Sequence, residues 1–390
     1  MATPAQRTNT WILDEWYDQA VAGTTGGYGG DQQMWVWGRG GDGQLDNNFA
    51  ADRSSPIQVP GGFIGGNAAP RSSFGIKSDN TLWTWGGYAG AGTLGLNGGS
   101  NRSSPTQVPG SWTSAIGSGN ENAAMGVQTD GTLWTWGTQD YGGLGQNNTT
   151  NYSSPMQVGT DTTWASGFDK YYMQGHTTWA IKTDGTLWAM GYAGWGSLGL
   201  NTTSVSRSSP TQVGTATNWS VVGRNYGASN AVINEDGELW VVGSGGYGAL
   251  GQNSTSPSVT LVQLPGTTWK CQTGSDDGML ATKTDGTLWS WGRNANGQLG
   301  HNNKTQYSSP KQIPGTTWDR VVSGYAQVLA SKTDGTLWTW GVNNYGELGQ
   351  NQQNPDGYSS PVQMGTSTDW LSNEKTFSGM SQTMFGFKHI

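Results

Sequence analysis

One cysteine, Cys271, in 390 residues excludes an intramolecular disulfide framework. It sits in "TTWKCQTG", where a buried strand cysteine is expected. Charge is also scarce. Asp, Glu, Lys and Arg make up 12% of the chain, against roughly 25% in an average soluble domain. The 19 Lys and Arg form no basic cluster and are outnumbered by 26 Asp and Glu, for a net charge of −7. Phosphate backbones demand concentrated cations, so no nucleic-acid partner is expected. No run of about 18 apolar residues occurs, so no membrane insertion is expected. The opening "MATPAQRTNT" has no apolar core for a secretory signal, which implies synthesis in the cytoplasm. Only three histidines, His176, His301 and His389, are present, and they are scattered. With so few groups suited to acid, base or nucleophilic work, the chain is not expected to be an enzyme, and no cofactor is expected.

Glycine and tryptophan are plentiful instead, at 64 and 22 residues. Both belong to a repeat. "SDNTLWTWG" starts at Ser78, "TDGTLWTWG" at Thr129, "TDGTLWAMG" at Thr183, "EDGELWVVG" at Glu235, "TDGTLWSWG" at Thr284 and "TDGTLWTWG" at Thr333. A seventh copy, "QQMWVWG", starts at Gln32 without its turn. The first Trp of each copy falls at 35, 83, 134, 188, 240, 289 and 338, a period of 48 to 54 residues.

Each unit reads as strands. The "DG" step is a hairpin signal of the type I′ kind. The "TLWTWG" that follows alternates, with Leu and the second-Trp position expected on one side against the first Trp and Gly. A Gly- and Asn-rich loop such as "VNNYGELGQN" (342–351) comes next, then "SSPxQV", as at Ser54-Ser55-Pro56 and Ser359-Ser360-Pro361. Pro there fits the start or edge of a sheet. A closing Trp ends most units: Trp112, Trp164, Trp219, Trp269, Trp318 and Trp370. Eighteen of the 22 Trp occupy these repeat positions and read as core. Four short strands per period of about 50 residues describe one β-propeller blade, and seven copies imply seven blades. The ends are complementary: "SGMSQTMFGFK" (378–388) matches the half of a unit before the turn, and "QQMWVWG" the half after it. They are expected to share one closing blade, which removes exposed sheet edges.

"DGxLWxWG", "NxxGxLGxN" and "SSPxQV" together resemble the regulator-of-chromosome-condensation (RCC1-like) repeat family, of the kind found in phage and environmental bacterial proteins. The resemblance covers about residues 31–390. It implies an all-β, seven-bladed propeller with a split closing blade. Its known tasks are unrelated to one another: nucleotide exchange on a small GTPase, chromatin binding, light sensing and β-lactamase inhibition. The histidine usual in the family's "GxxHS" stretch is largely absent; the matching places read "GYAQ", "GSDD" and "GNEN". This weakens any transfer of those tasks.

The repeated Asp130, Asp184, Asp236, Asp285 and Asp334 precede Gly and read as turn residues. "DGQLDNN" (42–48) lacks the Gly and distal Glu of a calcium loop, so no metal is expected. The glycines of "GELG" and its kin read as turns, with no helix after them to form a phosphate cradle. Recognition is expected where copies diverge, between the closing Trp and the strand entering the "DG" turn. The longest such loop, 167–178, gathers Phe168, Asp169, Lys170, Tyr171, Tyr172 and Met173. Arg224, Asn225 and Tyr226 of the next blade are expected beside it. Two readings stand: these side chains contact a partner, as Tyr and Arg hot spots do, or they plug the central mouth.

"TWILDEWYDQAV" (10–21) belongs to no repeat. Its apolar residues fall on the stripe of a short amphipathic helix, joined to the propeller by the Gly-rich 22–31. The expected organisation is a docking arm, residues 1–30, and a propeller, 31–390. Such a helix is too short to stand alone, so Trp11, Ile12, Leu13, Trp16 and Tyr17 pack on the same chain or on a neighbour. The arm, the uncharged surface and the resemblance point to a phage virion component on head or tail. Its partners would be other virion subunits or itself, with a host-surface glycan or protein beyond. The alternative is a free cytoplasmic propeller that binds one protein as inhibitor, adaptor or exchange factor.

Overall fold

The "LWxWG" segments form the third strand, counted from the axis, of seven four-stranded antiparallel sheets. The computed structural model describes residues 32–389, apart from 46–49, 88–91, 119–121, 139, 175, 226, 374, 376 and 381. The arm with Trp11, Ile12, Leu13, Trp16 and Tyr17, and the loop residue Tyr226, lie outside the described residues.

Blade two shows the pattern, with Trp112–Gly117 innermost, then Ala123–Gln128, Leu133–Gly137 and, outermost, Tyr152–Gln157. The proline of each "SSP" lies in an outer strand, as in Arg102–Val108 and Tyr307–Ile313, where one side of the backbone needs no ladder partner. Blade seven takes its two inner strands, Phe377–Met380 and Thr383–His389, from the end of the chain. Its two outer strands, Gln32–Gly38 and Arg53–Val59, come from the start. Met34 sits opposite Phe387, and Trp37 opposite Met384. This is the shared blade that the complementary ends imply.

Three local expectations are corrected. The two tryptophans of "LWxWG" are two residues apart and so share one face; strand alternation puts Leu on the other. The closing Trp does not end a blade. It starts or precedes the inner strand of the next, and its N–H donates to the turn of the blade before, Trp219 to Gly185 O at 3.0 Å and Trp318 to Gly286 O at 2.9 Å. The turn is not type I′. The Gly131 N–H donates to Gln128 O at 3.0 Å, and the Gln128 N–H to Thr132 O at 3.0 Å. Only Gly131 takes positive φ, +80°, which is a type I turn followed by a glycine bulge. Asp130 accepts from the Thr132 N–H at 3.0 Å and from its hydroxyl at 2.6 Å, and Thr132 Oγ1 in turn accepts from Trp134 Nε1 at 2.7 Å. Those Thr132 bonds hold the Asp130 carboxylate below its usual pKa.

The core lies between blades. Trp136 packs edge-on against Trp112, with centroids 5.7 Å apart, and its indole N–H donates to Thr93 O of the preceding blade at 2.7 Å. Trp37, Trp85, Trp291 and Trp340 do the same with Glu347, Gln44, Ala249 and Gln298. Full burial of a large apolar side chain contributes roughly 1.5–3 kcal/mol, so these locks bind the ring together. Blades three and four carry Met190 and Val242 in that place. There Thr178 Oγ1 donates to Gly143 O at 2.8 Å, and Asn230 Nδ2 to Ser197 O at 2.9 Å. Cys271 is buried in Trp269–Ser275, as expected.

Candidate protein-interaction face

Strand order gives the disc two unlike faces. The Asp-Gly turns and the links into the next inner strand lie on one, the turn face. The Gly-rich loops after "LWxWG" lie on the other with the turns after each inner strand; this is the loop face. A rigid ring presenting loops of this kind is where binding residues concentrate.

The loop face carries exposed aromatic side chains on consecutive blades. Tyr141 of blade two is 42% exposed, Tyr192 and Trp195 of blade three 36% and 60%, and Tyr247 of blade four 45%. Tyr141 and Tyr192 meet across the blade boundary with centroids 4.8 Å apart and ring planes tilted by 57°, and the His176 ring packs edge-on at 4.3 Å from that of Tyr141. Arg293 of blade five covers the Tyr247 ring at 5.1 Å and is fixed by Asp276 at 2.7 Å. Tyr325 of blade six is exposed on the same face.

Two of these residues are held in strained backbone. Trp195 and Tyr247 sit at φ +58° inside the short 3₁₀ turns Gly194–Gly196 and Gly246–Gly248. A non-glycine residue there pays a steric cost of about 1–2 kcal/mol. Burial does not repay it, since both side chains face solvent. The loops themselves are firmly set. A Cβ on Gly196 would meet Val259 Cα of the next blade at 2.6 Å, so that glycine allows the loop to press against its neighbour.

The residues singled out from the sequence lie elsewhere. Phe168, Tyr171, Tyr172, Met173 and Asn225 are buried, and Arg224 nearly so. The extra length of this segment is not in a loop-face turn. Trp164 pairs with Lys182, and pairing resumes at Tyr171 with Ala180. Residues 166–170 are therefore inserted ahead of the inner strand, on the turn face. Tyr171–Gln174 is the inner strand itself.

The expected neighbourhood of 168–173 and 224–225 is present. Arg224 Nη2 donates to Phe168 O at 3.1 Å, and the Tyr172 hydroxyl donates to Asn225 O. Tyr171 donates to Ser114 Oγ at 2.6 Å, and burial pushes its hydroxyl above the usual tyrosine pKa. Arg224 Nη1 reaches Ser378 Oγ of blade seven at 2.5 Å. Burial first, and the nearby Arg320 second, bring Arg224 down to about 10. Among the described members of the set, Asp169 and Lys170 alone stay partly open to solvent.

The aromatics of the loop face did have a sequence signal. Before the first glycine of "GxLG" the copies read Asp42, Ala91, Tyr141, Trp195, Tyr247, Asn296 and Tyr345. Four are aromatic at a position that turn geometry leaves free.

The fold and this face define a repeat β-propeller built to present loops. The regulator of chromosome condensation (RCC1) repeat model matches residues 130–166, 285–330 and 334–373. Human WBSCR16 superimposes with a TM-score of 0.76 at 16% identity, covering 92% of this chain and 98% of that one. Prp20p from Saccharomyces cerevisiae, described together with its binding to Gsp1p and histones, gives 0.73 at 15% identity, covering 92% and 91%. The human E3 ubiquitin-protein ligase HERC2 is 25% identical over 233 residues, 57% of this chain. The match spans 5% of that ligase's length. The chain therefore carries RCC1 repeats, and its fold is that of an RCC1-like repeat β-propeller.

Proposed function

We propose that this chain is a non-enzymatic interaction module that docks a protein partner on its loop face. The observation that carries the reading is the set Tyr141, Tyr192, Trp195 and Tyr247, exposed on three consecutive blades. Two of the four are held at positive φ. Rigid, low-entropy aromatic side chains on a fixed scaffold are the usual anchors of protein interfaces. Binding of Gsp1p and histones by the structural relative Prp20p supports a macromolecular partner for the fold. Replacing Trp195 and Tyr247 together by Ser tests this reading. The variant keeps the parent's thermal stability and loses its partner; retained partner binding would sink the proposal.

The finer placement, a virion component anchored by residues 10–21, rests on composition and on the arm. Light scattering of the full chain and of residues 31–390 tests it. Assembly of the full chain alone supports a docking arm, whereas two monomers favour the free protein-binding propeller.

A further inference from the structure

A trough crosses the turn face from blade seven to blade three. Both of these blades carry additional residues after their Trp. Trp164 pairs with Lys182 and pairing resumes at Tyr171 with Ala180; Trp370 pairs with Lys388 and pairing resumes at Phe377 with Gly386. In blade two the same stretch runs only from Trp112 to Ala115, opposite Gln128 and Gly126. Each insertion is tied to a neighbouring blade. The Gly167 N–H donates to Ser114 Oγ at 3.2 Å, and the Gly66 N–H donates to Lys375 O at 2.9 Å. A Cβ on Gly65 would lie 3.3 Å from Phe168 Cε2 and 3.2 Å from Lys375 Cβ, so both insertions reach the same point of the inner strand of blade one. They border a cavity of about 470 Å³. Ile64, Ile76 and Phe168 supply its apolar walls. Among its described lining residues Lys170 and Lys375 are the cations and Asp169 the carboxylate.

The chain enters the propeller at the edge of this trough. Gln32 begins its strand opposite His389, at the turn-face end of blade seven. Its Nε2 donates to Ile64 O at 3.0 Å, and Ile64 lines the cavity. The Gly-rich residues 22–31 that precede it span about 17 Å as a flexible chain and about 33 Å at full extension. Before them, residues 10–21 hold Trp11, Ile12, Leu13, Trp16 and Tyr17 with three carboxylates, Asp14, Glu15 and Asp18, and no Lys or Arg. An apolar, acidic segment is thus tethered within reach of a part-apolar cavity that carries two lysines. The tether also decides between this cavity and the same cavity on a neighbour. A short flexible link gives an effective concentration in the millimolar range, about a thousandfold above that of a micromolar solution of separate chains.

We infer that residues 10–21 dock in the trough of their own chain, with the Trp11 and Trp16 side chains in the cavity and the carboxylates toward Lys170 and Lys375. The cavity is within the size range of small-ligand pockets, so it has room for aromatic side chains. The segment then straps blade seven, in which the two ends of the chain meet, to blades one, two and three. The loop face stays open, so the inference does not rest on the partner proposed there.

Hydrogen–deuterium exchange of the full chain at micromolar concentration, read beside light scattering, tests this. A monomer is expected in which the amides of 10–21 exchange at least about tenfold more slowly than those of 22–31, after correction for intrinsic rates. Lys170→Glu with Lys375→Glu should lower that protection by about tenfold, because it sets like charges against each other. Lys170 is half-buried and Lys375 exposed, so this variant is expected to fold, and its melting curve checks that. Reversing Asp14, Glu15 and Asp18 to Lys, which leaves the propeller itself untouched, should cause the same loss, and combining the two sets should restore protection. Exchange of 10–21 as fast as that of 22–31 overturns the inference. So does protection that appears only when the chain assembles, which would place the segment on a neighbour. Protection that survives both charge reversals would place it elsewhere on the propeller and overturns the inference as well.

Discussion

Arg224 reaches across the axis of the disc and donates from Nη1 to Ser378 Oγ, a residue 154 positions later in the chain. Asn67 Nδ2 donates to the same oxygen at 2.9 Å, while Asn67 Oδ1 accepts from the Gly117 N–H at 3.1 Å. A single buried hydroxyl thus ties blades one, two, four and seven. Ser378→Ala leaves a buried guanidinium N–H without a partner. It is expected to cost about 1–3 kcal/mol, read as a lower denaturant midpoint with an unchanged slope. An unchanged midpoint would mean that the bond contributes nothing net.

Glu347 is a carboxyl where its counterparts are neutral. In blades seven and five, Gln44 and Gln298 accept from the N–H two residues earlier, each at 2.9 Å. Glu347 Oε2 does the same with Tyr345 N–H at 2.8 Å, while its Oε1 is buried without a partner. Burial raises this carboxyl from 4.5 to about 7. The unfolded chain releases the proton at lower pH than the folded one. Stability is therefore lost as pH rises from about 4.5 through about 7. Glu347→Gln should match the parent at pH 4 and exceed it at pH 8, by on the order of 2–3 kcal/mol. Equal stability of the two proteins at both values would refute this.

Trp195 pairs strain with exposure. Trp195→Gly removes the positive-φ penalty and surrenders little buried area. Its melting temperature should equal or exceed the parent's, by up to about 1 kcal/mol of stability. A clear loss of stability would show that the indole is a structural cap.

The turn glycines are more demanding. Gly185 has φ +76°, and a Cβ on it would lie 2.1 Å from Thr217 O. Its own carbonyl receives the Trp219 N–H of the next blade. Gly185→Ala should destabilise by more than about 1 kcal/mol. Asn80, at φ +62° in the same place of blade one, should be replaceable by Gly with little change. Equal effects at the two sites, each of whose carbonyls receives the next blade's Trp N–H, would contradict this.

The fold was readable because its core is written in repeated words. Trp134 and Trp136 recur at fixed places, and the incomplete units at 32–38 and 378–388 state how the ring closes. Finer points were not. "DG" serves both a type I′ turn and a type I turn with a glycine bulge, and only the φ of the residue before Gly131 separates them. The extra residues near Phe168 fall between two fixed landmarks, Trp164 and Asp184, and spacing alone does not say on which side of the inner strand they lie. That choice sent Phe168, Tyr171 and Tyr172 to a surface in the sequence reading, where the fold buries them. Trp195 and Tyr247 were hidden by the opposite error. They stand among glycines whose turn role is plain, and a turn position reads as structure until its exposure is known.

The central claim is that a partner docks on the loop face. Its most direct test places the photo-crosslinking residue p-benzoylphenylalanine singly at Trp195, Tyr247, Thr160 or Thr215 in the full chain, followed by irradiation in an extract of its own cells. Thr160 and Thr215 are exposed on the turn face. The account predicts one and the same protein adduct from positions 195 and 247, and none from 160 and 215. The same adduct from the turn-face positions, or no adduct from 195 and 247, would contradict it.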